Sequence, residues 1–539
     1  VPREVNTPNI LRDERYQAKW FESRRTWKYS IFMLVFAGSV LLPLGWLFQS
    51  WSSIDFELWQ HLWDTQLTTL LWNSARLAVG VFCGVVLLGA SLAWVIALHD
   101  FPGRSFFEWA LVLPFAIPAY VFAFILLGSL DSSVTGWPIG LRNYWGVCLS
   151  FTLAFFPYVY LLTKNALVSQ GDRVYEVART LGCSSWGLLF RVAMPIAWPS
   201  IVAGASLAVM EAFADFGTVS IFNYLTFTTA IYKAWFGFFS LQTAAQLATF
   251  LVFIVLLWRG LEGFMLKGRS PGNEQGVGAS GVRRSRLNPT AGWCVFVMLS
   301  LLLCFSFIMP MARLVFWVIE SMDKQSFTDL MAIFARSFGL GAAGAAIVTL
   351  GAFFVAVVAR NDVRRRVITA IRIATLGYAL PGSILAVGLM LVFASVDSLN
   401  SQLGFDTRFV GGVFVLIMAY VVRFLAVGYS GALSSLSLLQ QHIIDAAKVL
   451  GASPIRRLYA VYLPILTPGI GATFLLVLVD ILKEMPATLL LRPFGWDTLA
   501  VSIYSYTAEG DWALAALPAC GLVVMGLVPV YILVKRLSV

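Results

Sequence analysis

Four carboxylates stand out by their spacing. Glu211 and Asp215 lie four residues apart in one apolar stretch, Asp480 and Glu484 four apart in another, and 269 residues separate the pairs. On a continuous helix an i, i+4 spacing puts both members of a pair on one face. An ionised acid at a bilayer centre costs about 2.5–3.5 kcal/mol on insertion scales, so acids retained there are candidates for function. Carboxylates lining one path offer hard oxygen, which suits a hard cation. A free anion would call instead for Arg or backbone N–H groups. Phe213 and Phe216 beside the first pair leave an organic cation open, through cation–π contact. As metal ligands the four would act transiently, on a solute in passage.

The same offset of 269 links two longer segments. Glu176-Val-Ala-Arg-Thr-Leu-Gly182 leads on to Pro195, and Asp445-Ala-Ala-Lys-Val-Leu-Gly451 leads on to Pro464. Ala178 then matches Ala447, Leu181 matches Leu450, Ser184 matches Ser453 and Pro199 matches Pro468. In each copy the acid opens a short helical stretch, and the glycine ends it by supplying the positive φ of a helix C-terminus. A second amphipathic stretch follows (Trp186, Leu188, Leu189 and Phe190 in the first copy), and the proline opens the next helix, where the first N–H has no partner anyway. The spacing predicts a helix-turn-helix over 166–195 and again over 433–464. One socket offered twice suits two copies of one partner.

The elements that must carry these residues follow from composition. Of 539 residues, 59% are hydrophobic and only 12% charged, and runs such as 31–48 and 294–308 are long enough to cross a bilayer as helices. The expected fold class is all-α and polytopic, with about twelve transmembrane helices in two tandem six-helix halves. The six cysteines show no paired C-x-x-C spacing and the three histidines are scattered, which argues against a zinc or disulfide frame. The net charge of +10 lies mostly in alternate loops, as topology requires, and this excludes nucleic acid as a partner. The lipid bilayer is the partner that the composition names.

In chain order, 1–28 reads as a cytoplasmic N-terminal tail and 29–262 as a first half, with spans near 29–49, 69–98, 107–128, 143–165, 196–217 and 241–262. Residues 263–291 are Gly/Ser-rich and basic, the composition of a flexible cytoplasmic linker. The second half, 292–539, has spans near 292–319, 334–359, 367–394, 408–432, 465–487 and 512–534. Asn73-Ser74 and Ile117-Pro118 match Arg336-Ser337 and Leu380-Pro381 at an offset of 263, and Ala230-Ile231-Tyr232 matches Ser502-Ile503-Tyr504 at 272. An even number of spans per half makes the repeat parallel, with a pseudo-two-fold axis along the membrane normal and both termini cytoplasmic.

The paired segments resemble the EAA loops of ABC importer permeases, with consensus E-A-A-x-x-x-G and a later proline. Val177 replaces the first alanine and Asp445 replaces glutamate, leaving charge and glycine in place. Phe213-Ala-Asp-Phe-Gly-Thr-Val-Ser-Ile-Phe222, Phe227-Thr-Thr-Ala-Ile-Tyr232 and the stretch 483–500 are similar to fused, two-half permeases of ferric-iron importers. The resemblance implies the type I importer permease fold in a bacterial inner membrane. It makes Glu176, Ala178, Gly182, Asp445, Ala447 and Gly451 the ATPase-coupling residues. It also implies two copies of a cytoplasmic ABC ATPase subunit, a periplasmic ferric-iron-binding protein, and Fe³⁺ as cargo. Thiamine, 2-aminoethylphosphonate, sulfate and polyamine permeases share the EAA loops, and an ion-coupled carrier would share the span count. The chain contains no G-x-x-x-x-G-K-[ST] phosphate loop, so it is expected to hold no cofactor and no ATPase site of its own, with Mg-ATP bound in the partner subunits.

Overall fold

The computed structural model describes residues 26–130, 140–170, 172–267, 284–324, 326–361, 364–405 and 407–537. Most of the expected tail 1–28 and the centre of the linker 263–291 lie outside the described residues. Among the described residues ten helices are long and apolar enough to cross a membrane, and a bent pair makes an eleventh. Trp512–Leu537 stands where the twelfth is expected. At the linker's margins, helix Leu241–Met265 runs on past 262, and Ser285–Arg286 pairs in parallel with His99–Asp100.

Two expected spans are broken. The stretch 107–128 bends by 89° between Arg104–Ala116 and Ala119–Leu130. The stretch 367–394 divides into helices Arg365–Thr375 and Gly382–Gln402. Both breaks fall at the matched dipeptides, where Ile117 (φ −87°, ψ 117°) and Leu380 (φ −89°, ψ 126°) are extended. The cause is the proline that follows, whose ring excludes the helical region for its predecessor. Prolines also explain three π-turns, at Leu189–Ala193, Cys304–Ile308 and Leu458–Tyr462, each ending two residues before Pro195, Pro310 or Pro464. A proline inside a run cannot donate to the carbonyl four residues back and clashes with it, and a wider turn relieves the clash.

Among the described residues the helices pack as two compact units that cut across the sequence halves: one takes those of 1–49 and 335–497, the other those of 50–334 and 498–539. The first helix of the first half therefore packs with helices of the second half, and the first and last spans of the second half pack together within the first half's unit. In the smaller unit Thr26–Gln49 lies against Arg365–Thr375 and Gly382–Gln402. There a Cβ on Gly388 would stand 2.8 Å from the Cβ of Pro43. In the larger unit Thr68–Leu98 and Met194–Ala214 both pack on Tyr144–Ser169, with Gly89 and Gly204 against Val159. Close backbone approach of this kind holds membrane helices together, since lipid tails are as apolar as leucine and supply no hydrophobic drive.

Candidate functional site

The two duplicated segments fold alike down to single hydrogen bonds. In the larger unit helix Asp172–Thr180 ends at Gly182, which has φ +79°, and the Cys183 N–H donates to the Ala178 carbonyl at 3.1 Å. In the smaller unit helix Gln441–Val449 ends at Gly451, with φ +72°, and the Ala452 N–H donates to the Ala447 carbonyl at 3.0 Å. This six-to-one closure is the Schellman arrangement, and it needs a left-handed residue at the glycine. Ser184 and Ser453 then cap the next turn, accepting from the N–H groups of Gly187 at 3.2 Å and Arg456 at 3.3 Å. Every one of these partners is related by 269 residues.

Burial divides each helix by face. Ala178 and Ala447 are buried, whereas Glu176 and Asp445 are exposed. Tyr175 is buried and its hydroxyl donates to the Leu167 carbonyl at 2.9 Å, tying the first helix to the one before it. Burial pushes its phenol up to about 12. On the outer face stand apolar side chains at matched positions: Leu181 and Leu450 are 78% and 84% exposed, Phe190 and Tyr459 61% and 67%. Sequence reading had matched the leucines but missed Phe190 with Tyr459. Their shared offset of 269 was the available signal. Exposed apolar groups repeated at fixed positions mark a surface built for contact.

Two of the four candidate pathway acids, Asp215 and Glu484, are placed otherwise than the helical spacing predicts, and this is a correction. Helix Met194–Ala214 stops before Asp215, which is extended (φ −76°, ψ 119°), and helix Leu463–Lys483 stops before Glu484 (φ −71°, ψ 109°). The expected spans 196–217 and 465–487 thus run past the helix ends. Glu211 and Asp480 remain in the last helical turns, half-buried, but Asp215 and Glu484 lie beyond the helix ends, so the pairs do not share one helical face. Each of the outer acids instead caps the short helix that follows. Asp215 Oδ1 accepts from the Thr218 N–H at 2.6 Å, and Glu484 Oε1 accepts from the Ala487 N–H at 3.0 Å. Short polar side chains cap by accepting from the N–H groups of the first helical turn.

Around this common geometry the partners differ. The Asp215 carbonyl accepts from Thr228 Oγ1 at 3.3 Å, and the Thr226 and Thr228 hydroxyls are 3.0 Å apart. Glu484 has a full counter-charge: its Oε2 lies 3.1 Å from Arg423 Nε, with the two side chains only 5% and 7% exposed. The Thr488 hydroxyl donates to the Glu484 carbonyl at 2.7 Å and stands 2.8 Å from the Tyr420 hydroxyl. Any Cβ at Gly382 would collide with Glu484 Oε1 and stand 2.8 Å from Arg423 Nη1, so this position needs glycine. Sequence reading missed Arg423, a basic residue in the middle of the apolar run 413–437. Among the described residues no three His, Cys, Asp or Glu are grouped to hold a metal ion.

Comparison with known proteins bears on both regions. The profile of the binding-protein-dependent transport system inner membrane component matches residues 85–258. Over 485 residues, 88% of this chain and 91% of the relative, the chain is 31% identical to the Fe(3+)-transport system permease protein FbpB 2 of Haemophilus influenzae. It is 25% identical to the molybdate/tungstate transport system permease protein WtpB of Thermococcus kodakarensis, over 43% of this chain and 96% of that protein. To the sulfate transport system permease protein CysW of Escherichia coli it is 28% identical, over 39% of this chain and 74% of that protein. The latter two use most of their own length on less than half of this chain, about the size of one repeat.

Proposed function

The chain belongs to the family of binding-protein-dependent transport system inner membrane components, and from that premise we propose that it is the permease of an ATP-driven ferric-iron importer. It lies in the bacterial inner membrane with both termini cytoplasmic. A soluble ferric-iron-binding protein delivers cargo on the periplasmic side. Two copies of a cytoplasmic ATPase subunit, which bind Mg-ATP, dock on the two duplicated loops. Alternating access between the two sides then moves the iron inward.

The observation that carries the docking role is the pair of matched outer faces. Leu181 with Phe190, and Leu450 with Tyr459, stand exposed at the same offset as the Schellman turns that fix the helices behind them. Glu176 and Asp445 add a negative charge at the same point of each helix, and Ala178 and Ala447 let the helix sit close on its own scaffold. Gly182 and Gly451 set the angle between each docking helix and the next turn. Iron as cargo is supported by the likeness to the Fe(3+)-transport permease over most of both chains. Glu211, Asp215 and Asp480 supply hard oxygen in the path under this reading, while Glu484 supports its wall through Arg423.

Reconstitution of the permease with its ATPase and binding protein in liposomes tests the assignment. Uptake of radioactive ferric iron, dependent on ATP and on the binding protein, is the expected result. Uptake of molybdate or sulfate in place of iron would reject iron as cargo, and uptake without any ATPase would reject the importer class.

A further inference from the structure

The hairpins that close the two repeats lie in one packing unit and begin alike. Helix Phe227–Phe236 follows Thr226, and helix Leu499–Glu509 follows Thr498, at an offset of 272. Thr226 takes part in a capping box with Thr229, and the Thr498 side chain accepts from the Val501 N–H. This register sets Tyr232 and Tyr504 at equivalent positions. Their rings meet edge to face, with centroids 6.1 Å apart and planes at 76°. Phe216 packs on both, at 4.6 Å from Tyr232 and 5.2 Å from Tyr504, and Phe236 lies 4.6 Å from Tyr232.

A two-fold operation carries every point to the far side of its axis, so only points close to the axis stay close to their own images. A residue that touches its repeat-equivalent therefore marks the axis. Tyr232 and Tyr504 are such a residue pair, and a path shared by two repeats runs where the axis runs. Phe216 directly follows Asp215, so the rings adjoin the helix break that carries a pathway acid. The equivalent of Phe216 in the second repeat is Met485, which makes the cluster lopsided.

We propose that Tyr232 and Tyr504 form the constriction of the transport path, a role that rests on the import function proposed above. Their contact seals the path at rest, with Phe216 bracing both rings. Cargo passes when the repeats move and part the rings. A cation in transit then meets two ring faces and two phenolic oxygens.

The test joins the pair reversibly in the full transporter complex. The six native cysteines are replaced by alanine, Tyr232→Cys and Tyr504→Cys are introduced, and a protease site is placed in the 268–283 segment. A short thiol-specific cross-linker should hold the two fragments together after cleavage, abolish uptake, and release both effects on reduction. Complete cross-linking with unchanged uptake would overturn the proposal, as would failure of the assembled protein to cross-link. A second measurement reads closure without reference to cargo. In liposomes without ATP, Tyr232→Ala with Tyr504→Ala should leak a small monovalent cation, and the matching double Phe variant should stay tight. A tight double-alanine variant that still assembles would also overturn it. If instead the unmodified protein takes up no iron while the leak pattern holds, the cargo assignment fails and the constriction stands.

Discussion

Glu484→Gln separates a structural acid from a pathway acid. The substitution keeps shape and keeps an acceptor for the Ala487 N–H, now 3.0 Å away, but removes the charge that faces Arg423 at 3.1 Å. Both side chains are nearly sealed from solvent, at 5% and 7% exposure, so the guanidinium cannot turn to water for compensation. The Leu380 carbonyl lies 3.5 Å from Nη1, too far to replace a carboxylate. Breaking one side of a buried pair costs about 3–5 kcal/mol. The retained acceptor argues for the lower end, about 3 kcal/mol, or about two orders of magnitude in the folding equilibrium. That is a large share of the roughly 5–15 kcal/mol that holds a domain folded. Thermal unfolding of the detergent-solubilised permease, read by loss of the monodisperse species, should show the drop. Arg423→Met combined with Glu484→Gln should recover most of it, because no buried charge is then left alone. A Glu484→Gln protein as stable as the parent but defective in uptake would refute this reasoning and return Glu484 to the path.

The remaining predictions concern coupling and assembly. A Cβ at Gly182 or Gly451 meets nothing within 4 Å, so the strain of Gly182→Val with Gly451→Val comes from the positive φ alone, about 1–2 kcal/mol per site. Expression should survive, while stimulation of the ATPase by loaded binding protein should be lost; normal stimulation would remove the turns from coupling. Cutting the chain between Gly272 and Gly281 and co-expressing the fragments should give a pair that co-purifies and transports, because each packing unit takes helices from both fragments. Fragments that insert but never associate would contradict that exchange.

Much of this was legible in the residues, and the losses have physical causes. The matched Gly-Pro spacing located both Schellman turns, because a left-handed residue and a missing N–H leave a strong imprint on sequence. Ile117-Pro118 and Leu380-Pro381 were matched to each other but read as interiors of continuous spans. Hydropathy windows do not register a helix break when apolar residues continue on both sides, and the prolines were the signal to weigh. The ends at Asp215 and Glu484 were missed for a related reason: a carboxylate four residues after another reads as a helical pair, and equally as a cap one turn past a helix end. Arg423 was invisible as a partner because it lies 61 residues from Glu484 in an otherwise apolar run. The exchange of first helices between packing units leaves no mark in periodicity at all, since either partner would bury the same apolar face.

What the repeat conserved and what it let drift have different consequences for transport. The backbone device is held in common: a span that stops, an extended acid, and a carboxylate that caps the next short helix at the third residue on. That device ends the span in the same way in both repeats, whatever the side chain's partners. The electrostatics are not held in common. The Asp215 backbone carbonyl accepts from the Thr228 hydroxyl, whereas the Glu484 carboxylate is balanced by Arg423. Loss of the acid in the second repeat should then be read mainly in stability, because it leaves Arg423 buried without its counter-charge.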